Sequence, residues 1–533
     1  MMALTNIKLS PEQHTVYNKY LQGNNIFITG PGGSGKTALI RLIYGNALSR
    51  KKQIAVCALT GCAAQLLECN ARTIHSWAGI GLGTETVEFY VKKITKSSFR
   101  RKQWQMIQIL IIDEISMMSL KLFDLINNIA KEIRNSDLPF GGIQIILSGD
   151  FYQLPPVCRP DDAAASTFAS KKDNGAKFCF ESNEWWNIFN ETNSIELKTI
   201  FRQTDTRYAE ILNQIREGRL KRSAFDALNE QIGKDRPTDL LIRPTKLYPR
   251  RDQVDSINTI EMDKLTGDIQ SYKMTFIIAI RSVVKTGSNA NLVATQAVAD
   301  LNNLRNKTPK EGAVGPDSFD DYVYNNDYQS QYDSDDFCYE LSSIANRLLC
   351  DDLVHLKVGA QVMCIINKSF DVWYSPDESL PASPAITVEL YNGCQGVVVD
   401  FMDDLAFGKC PIVQFHKYAP LKIVMKPHTW ESSRIEGLFV RQLPLLLSWA
   451  VTIHKSQGAT LDYAEIDAGN SIFEDGQTYV ALSRVKSLEG LYLSAFDPSR
   501  IRTNIKVKEF YQILREKIQI YSQKHTNVRT IVI

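Results

Sequence analysis

Apolar residues along the chain gather in short unbroken runs bounded by turn residues, the pattern of strands buried on both faces. Ile26-Phe27-Ile28, Ile54-Ala55-Val56-Cys57-Ala58, Ile109-Leu110-Ile111-Ile112 and Ile143-Gln144-Ile145-Ile146-Leu147 are runs of this kind. Helical spacing follows some of them directly, at Ala38–Ile43 and Ala63–Glu68. Alternating buried strand and helix predicts an α/β fold built on parallel sheets. The same order recurs further on, with a short strand at Glu196-Leu197, a helix over Tyr208–Gly218 and a strand over Thr245–Tyr248. Val354–Asn367 and Gly393–Asp400 instead carry β-branched alternation and predict a small β module set into the second half. Leu445–Val451 opens the last block as one apolar run, and Val507, Phe510, Tyr511, Leu514 and Ile518 predict a closing helix packed on the core.

Composition narrows this picture. A chain of 533 residues is too long for one core and suggests two to four domains. Its 44% hydrophobic and 23% charged residues are those of ordinary globular protein. Ten cysteines without a C-x-x-C pair indicate neither a zinc site nor an iron–sulfur cluster. The N-terminus lacks the blocks of a signal peptide, and runs such as Leu443–Leu447 are too short to span a bilayer, so an intracellular protein without a membrane partner is expected. A net charge of +2 makes no global case for nucleic acid, so any such case must be local. Lys92, Lys93, Lys96, Arg100, Arg101 and Lys102 form an acid-free basic run, either a solvated face or a phosphate-backbone contact. Asp317–Asp336 holds seven Asp and no Lys or Arg, and reads as an exposed, partly disordered insertion.

The chemistry enters at Gly30-Pro31-Gly32-Gly33-Ser34-Gly35-Lys36-Thr37, which satisfies G-x-x-x-x-G-K-[ST] between a strand and a helix. Glycines let backbone N–H groups curl around phosphate oxygens, and the helix N-terminus adds positive potential. Lys36 can reach the β and γ phosphates of a nucleotide, and the Thr37 hydroxyl can ligate Mg²⁺. Asp113-Glu114 leaves the end of a strand, as the partner of a phosphate loop should: Asp113 toward the metal, Glu114 toward the attacking water. Gln153, in Gly149-Asp150-Phe151-Tyr152-Gln153, is placed to sense a γ phosphate. Ser10-Pro11-Glu12-Gln13 is a capping box, and the Gln13 amide either only caps or also reads an adenine edge. Thr60 and His75 follow strand ends, where a second substrate meets an open sheet.

The order of these blocks resembles superfamily 1 DNA helicases, within them the Pif-type (petite integration frequency) group, close to RecD-like enzymes. The likeness spans residues 8–280 and 353–515. Its most specific element is Phe123–Gln144, ending Leu138-Pro139-Phe140-Gly141-Gly142-Ile143-Gln144, supported by Leu356-Lys357-Val358-Gly359-Ala360-Gln361-Val362-Met363 and Tyr391-Asn392-Gly393.

The resemblance implies two RecA-like P-loop domains with parallel sheets and a small inserted SH3-like β module. They divide as a first domain over 1–194 with a wedge insertion near 84–105, a second over 195–265 and 430–515, an inserted module over 266–429 whose β part is 353–429, and a tail over 516–533. It implies ATP and Mg²⁺, single-stranded DNA and forked duplex as partners, 5′-to-3′ movement, and a monomer. It assigns Gln13 to adenine, Gln457 and Gly458 to the nucleotide cleft, Arg202 and Arg484 to arginine fingers, and Thr60, His75, His454 and Lys455 to the border of the DNA track. Two departures stand out. Pro249-Arg250-Arg251 replaces the family's Thr-Asn, and residues 281–350 match nothing in it, their acidic part 311–345 being a surface loop or an element for a protein partner. An ATP-switched nucleic-acid clamp and an RNA helicase remain alternatives.

Overall fold

The structure, a computed structural model, describes residues 9–156, 177–235, 241–278, 340–372, 386–432 and 438–529, apart from residues 82, 343, 346 and 347. The acidic stretch Asp317–Asp336 lies outside the described residues.

The early apolar runs assemble into one sheet of six parallel strands, in the order Arg72–Thr73, Ile54–Ala58, Ile109–Asp113, Gln144–Ser148, Ile26–Thr29, Ser194–Glu196. Registers of Ala58 with Asp113, Ile112 with Leu147 and Ile28 with Ser148 bring the carboxyl ends of the central strands to one edge. The phosphate loop leaves from that edge, the place where open parallel sheets bind ligands. The helix Lys36–Ser49 covers one face through Leu39, Ile40, Ile43 and Ala47. Leu120–Arg134 belongs to the other core, where Phe123 meets Phe140 and Trp185.

The short strand expected to open the second domain belongs to this first sheet. Ser194–Glu196 pairs with Phe27–Thr29, and Leu197 is buried in the same cluster as Ile26 and Ile28. The second lobe has its own parallel sheet, ordered Ala450–Thr452, Thr245–Tyr248, Ala464–Ala468, Leu491–Phe496. Beside it lies an antiparallel sheet of five strands: Lys422–Val424, Gly408–Phe415, Gln395–Asp404, Gln361–Cys364 and Leu445–Leu447. Both sheets contribute to one continuous apolar core. The run Leu445–Val451 is therefore two strands, one in each sheet, with the chain changing sheets at Ser448-Trp449. The Ser448 carbonyl is fixed there by Thr245 Oγ1 at 2.7 Å and Gln361 Nε2 at 3.0 Å.

Two further expectations are corrected. The end of the unmatched 281–350 stretch is not surface loop, because Leu341, Ile344, Leu349 and Cys350 are buried in the second-lobe core. The closing helix runs over Ile505–Arg529, well into the expected tail, and returns to the first lobe, where Val507, Phe510, Tyr511 and Leu514 join the cluster of Phe27, Phe151 and Trp185. The basic run falls on two helices, Val87–Lys96 and Ser98–Met106, anchored by Tyr90, Ile94 and Trp104, with five of its six cations exposed. No helix among the described residues is long and apolar enough to cross a membrane.

Candidate functional site

The helix Lys36–Ser49 starts from Gly35 in the left-handed region at φ 82°, with no side chain capping its first N–H groups. Those donors face the loop, where an anion would satisfy them. Lys36 Nζ folds back on the loop itself, donating to the Gly30 carbonyl at 2.7 Å and the Pro31 carbonyl at 3.0 Å. Burial lowers the Lys36 pKa, against the pull of Asp150, Glu114 and Asp113. Thr37 is the next residue of that helix, and Ser34 is buried within the loop. Gln13 is also buried: Oε1 accepts from Ser10 N at 3.0 Å and Nε2 donates to the Ser34 carbonyl at 3.3 Å. The capping box thus forms, and its amide also touches the phosphate loop.

Asp113 ends its strand buried beside Ser148, and burial raises its carboxyl. Glu114 follows with φ 56° and ψ 41°, a left-handed conformation that costs a non-glycine residue on the order of 1 kcal/mol. Burial and the Asp113 charge raise its carboxyl to about 7, against Lys36 and Arg484. Glu114 Oε2 and Gln457 Nε2 of the second lobe are both buried and face each other without a well-formed hydrogen bond between them.

The second lobe closes on this surface. Tyr479 Oη accepts from Gly32 N at 2.8 Å. A methyl group at Gly32 would lie 3.7 Å from both Arg202 Nη1 and Arg484 Nη2, so two guanidiniums stand over one point of the loop. Arg202 Nη1 is held by the Ser483 carbonyl at 3.4 Å, and Arg484 by the Val480 carbonyl at 2.8 Å and Ser483 Oγ at 2.7 Å. Burial and the neighbouring Arg202 push Arg484 down to about 9, and burial lowers Arg202 as well. Gln153 is buried where the backbone of Gly476 meets it: a Cβ at Gly476, whose φ is +74°, would lie 2.6 Å from the Tyr152 and Gln153 carbonyls. Gly458, at φ +81°, packs against Leu66.

The residues expected along a DNA track divide between the lobes. Thr60 caps the helix Gly61–Leu67 by accepting from Ala63 N, and His75 lies in the short helix Ile74–Ala78 after the neighbouring strand. His454 and Lys455 follow the strand Ala450–Thr452 and precede Gly458, so their loop faces the Thr60 helix through the Gly458–Leu66 contact.

Sequence reasoning missed a buried inter-lobe cluster. Asp150 takes two hydrogen bonds from Arg216, each 2.8 Å, and Tyr511 Oη lies 3.4 Å from Asp150 Oδ1 and 2.5 Å from Thr29 Oγ1. The Tyr152 and Tyr511 rings stack at 4.6 Å, with Arg216 over Tyr152 at 4.4 Å. No local motif announces Arg216; Asp150 stood inside a recognised block and Tyr511 on the predicted closing helix, but neither carried a role in the sequence.

No group of His, Cys, Asp and Glu among the described residues forms a metal cluster by itself. The pocket around the loop instead sets three cations, Lys36, Arg202 and Arg484, against two carboxylates, Asp113 and Glu114, one positive charge in excess. The two neighbouring guanidiniums and the donor Nε2 of Gln457 fit an anion with many oxygens.

Comparison with known proteins gives the family. The sequence model of the PIF1-like helicases matches residues 8–225. The ATP-dependent DNA helicase RRM3 of Saccharomyces cerevisiae is 32% identical over 95% of this chain and 68% of its own length. The ATP-dependent DNA helicase PIF1 of Danio rerio is 34% identical over 96% of this chain and 64% of its own. The chain thus spans about two thirds of the length of these relatives. The crystal structure of the Pif1 helicase from Candida albicans, 32% identical, superposes with a TM-score of 0.63, covering 96% of this chain and 100% of that one. A shared architecture and a shared sequence over nearly all of this chain place it in one family: it belongs to the PIF1-like helicases.

Proposed function

We propose that the chain is an ATP-dependent DNA helicase that moves 5′-to-3′ along single-stranded DNA and opens forked duplex. The observation that carries this is the convergence of Arg202, Arg484 and Tyr479 from one lobe on Gly32 of the phosphate loop in the other. Two guanidiniums over one point of the loop repel each other unless an anion lies between them, and a γ phosphate at the loop is that anion. Mg²⁺ would be held by the Thr37 hydroxyl and the Asp113 carboxylate, and supplies neutralising charge to the phosphate oxygens.

The chain's own residues do the rest. Lys36 exchanges its loop carbonyls for phosphate oxygens. Glu114, beside the phosphate loop, accepts the proton of the water that attacks the γ phosphorus as the bond to the bridging oxygen breaks. Gln153 and Gln457 border the same phosphate, and Gln13 meets the adenine by releasing the Ser34 carbonyl. Loss of the γ phosphate removes the common ligand of Lys36, Arg202 and Arg484, and the lobes part. Thr60 and His75 on one lobe and His454 and Lys455 on the other then shift relative to each other along the strand.

Strand displacement on duplexes with a 5′ or a 3′ single-stranded tail tests this reading. Unwinding of the 5′-tailed substrate alone is expected. Unwinding of the 3′-tailed substrate alone overturns the polarity, and DNA-stimulated hydrolysis without unwinding supports an ATP-switched clamp. Stronger stimulation by single-stranded RNA than by DNA overturns the choice of nucleic acid.

A further inference from the structure

The stretch Pro249-Arg250-Arg251, where the chain departs from the family's Thr-Asn, gains a setting in the structure. It joins the strand Thr245–Tyr248 to the helix Arg251–Asp263, and that strand is paired in parallel with Ala450–Thr452. Arg251 and Lys455 therefore emerge from adjacent strands at the same edge of the second sheet. A third segment lies over them. Asp351 Oδ1 is 3.3 Å from Lys455 Nζ and 3.9 Å from Arg251 Nη2, while Arg251 Nε also lies 3.4 Å from Asp255 one turn along its own helix.

The segment reaches the other lobe as well. Leu349 N donates to Gln65 Oε1 at 3.2 Å, on the helix that Thr60 caps, and Gln65 Nε2 is buried without a partner. Just beyond, Gln442 Nε2 donates to the carbonyls of Asp351 and Asp352 at 2.9 and 3.1 Å, and Met274 N donates to Asp352 at 2.7 Å. The backbone is thus pinned on one side while the Asp351 side chain stays half exposed against Lys455 and Arg251.

We propose that residues 349–351 form a strap across the nucleic-acid track, in which the Asp351 carboxylate competes with a DNA phosphate for Lys455 and Arg251. The proposal rests on the helicase reading above. Arg251 and Lys455 are donors only, and Asp351 is the one carboxylate that lies against both of them. A carboxylate and a phosphodiester each bring one negative charge, so DNA enters by exchange, not by filling an empty cationic site. Exposed ion pairs are weak, so the strap competes with DNA without excluding it.

The test is binding of a fluorescent oligothymidylate to the full chain without nucleotide, followed by anisotropy over a salt series. Asp351→Asn keeps the shape and removes the charge, and is expected to tighten binding about two- to fivefold at low salt. Arg251→Ala is expected to weaken binding and to reduce the slope of log affinity against log salt by about 0.7, the value of one single-strand phosphate contact. In an Arg251→Ala, Lys455→Ala background the gain from Asp351→Asn should vanish. Wild-type affinity in Asp351→Asn overturns the strap. So does a gain that persists in the double background, since that would be a general effect of charge. Failure of the wild-type chain to bind the oligonucleotide overturns the helicase reading itself.

Discussion

At the scale of single residues, what the sequence disclosed was whatever chemistry is local. The phosphate loop and Asp113-Glu114 are contiguous words whose spacing alone dictates their use. Arg202 and Arg484 were legible only through family resemblance, because nothing near them in sequence marks their target. Tyr479 stands five residues before Arg484 in the same block, but its bond to Gly32 spans 447 residues and its role could not be read from the block. Lys36→Ala should abolish ATP hydrolysis, as the loop loses its only cation. Arg484→Ala should keep nucleotide binding in a filter or fluorescence assay while turnover falls by about 10³–10⁵, the usual share of an arginine finger. Normal turnover in either variant would refute the site. Glu114 adds a pH signature. Its carboxyl, raised to about 7 by burial and Asp113, is protonated below that value and useless as a base there. The kcat/KM for ATP should therefore fall about tenfold per pH unit below 7 and level off above it. Glu114→Gln should remove that limb together with turnover. Full turnover in Glu114→Gln at about pH 8 would exclude Glu114 as the proton acceptor.

At the scale of elements, unbroken apolar runs identified the central strands because strands buried on both faces need no polar alternation. The edge strand Ser194–Glu196 is only partly covered, carries little apolar signal, and could be placed only by its pairing with Phe27–Thr29. Leu445–Val451 was opaque for the opposite reason: two strands in different sheets are both buried, so their patterns fuse. The closing helix was visible by its period, but a period tells which face is buried and not against which lobe. Its anchor is Phe510, whose ring lies 4.5 Å from Phe180 and 5.4 Å from Phe151. Phe510→Ala should cost about 3–5 kcal/mol in urea unfolding, the toll of a large buried aromatic. A loss below about 1 kcal/mol would mean that the helix is not docked on the first lobe in solution.

At the scale of the whole molecule, two of the contacts between the lobes have different duties. Around Gly32 the contacts are cationic and await a ligand, so they should vary through the cycle. Around Asp150 they are already complete: the carboxylate and Arg216 are both almost fully buried, joined by two 2.8 Å bonds and flanked by stacked tyrosines. A satisfied buried pair of this kind has no reason to open when nucleotide leaves, which makes it a pivot for the lobes and not a sensor. Removing one partner leaves the other charge stranded, so Asp150→Asn or Arg216→Met should each cost about 3–5 kcal/mol. The double variant should cost much less than the sum, giving a coupling energy above about 2 kcal/mol in a double-mutant cycle on unfolding. If the pair is a pivot, the double variant should also bind ATP with near wild-type affinity yet lose DNA stimulation of turnover, because the lobes would close without a fixed axis. Full DNA stimulation in a folded double variant would reduce the pair to a structural clamp, and strictly additive costs would show that the two side chains do not act on each other at all.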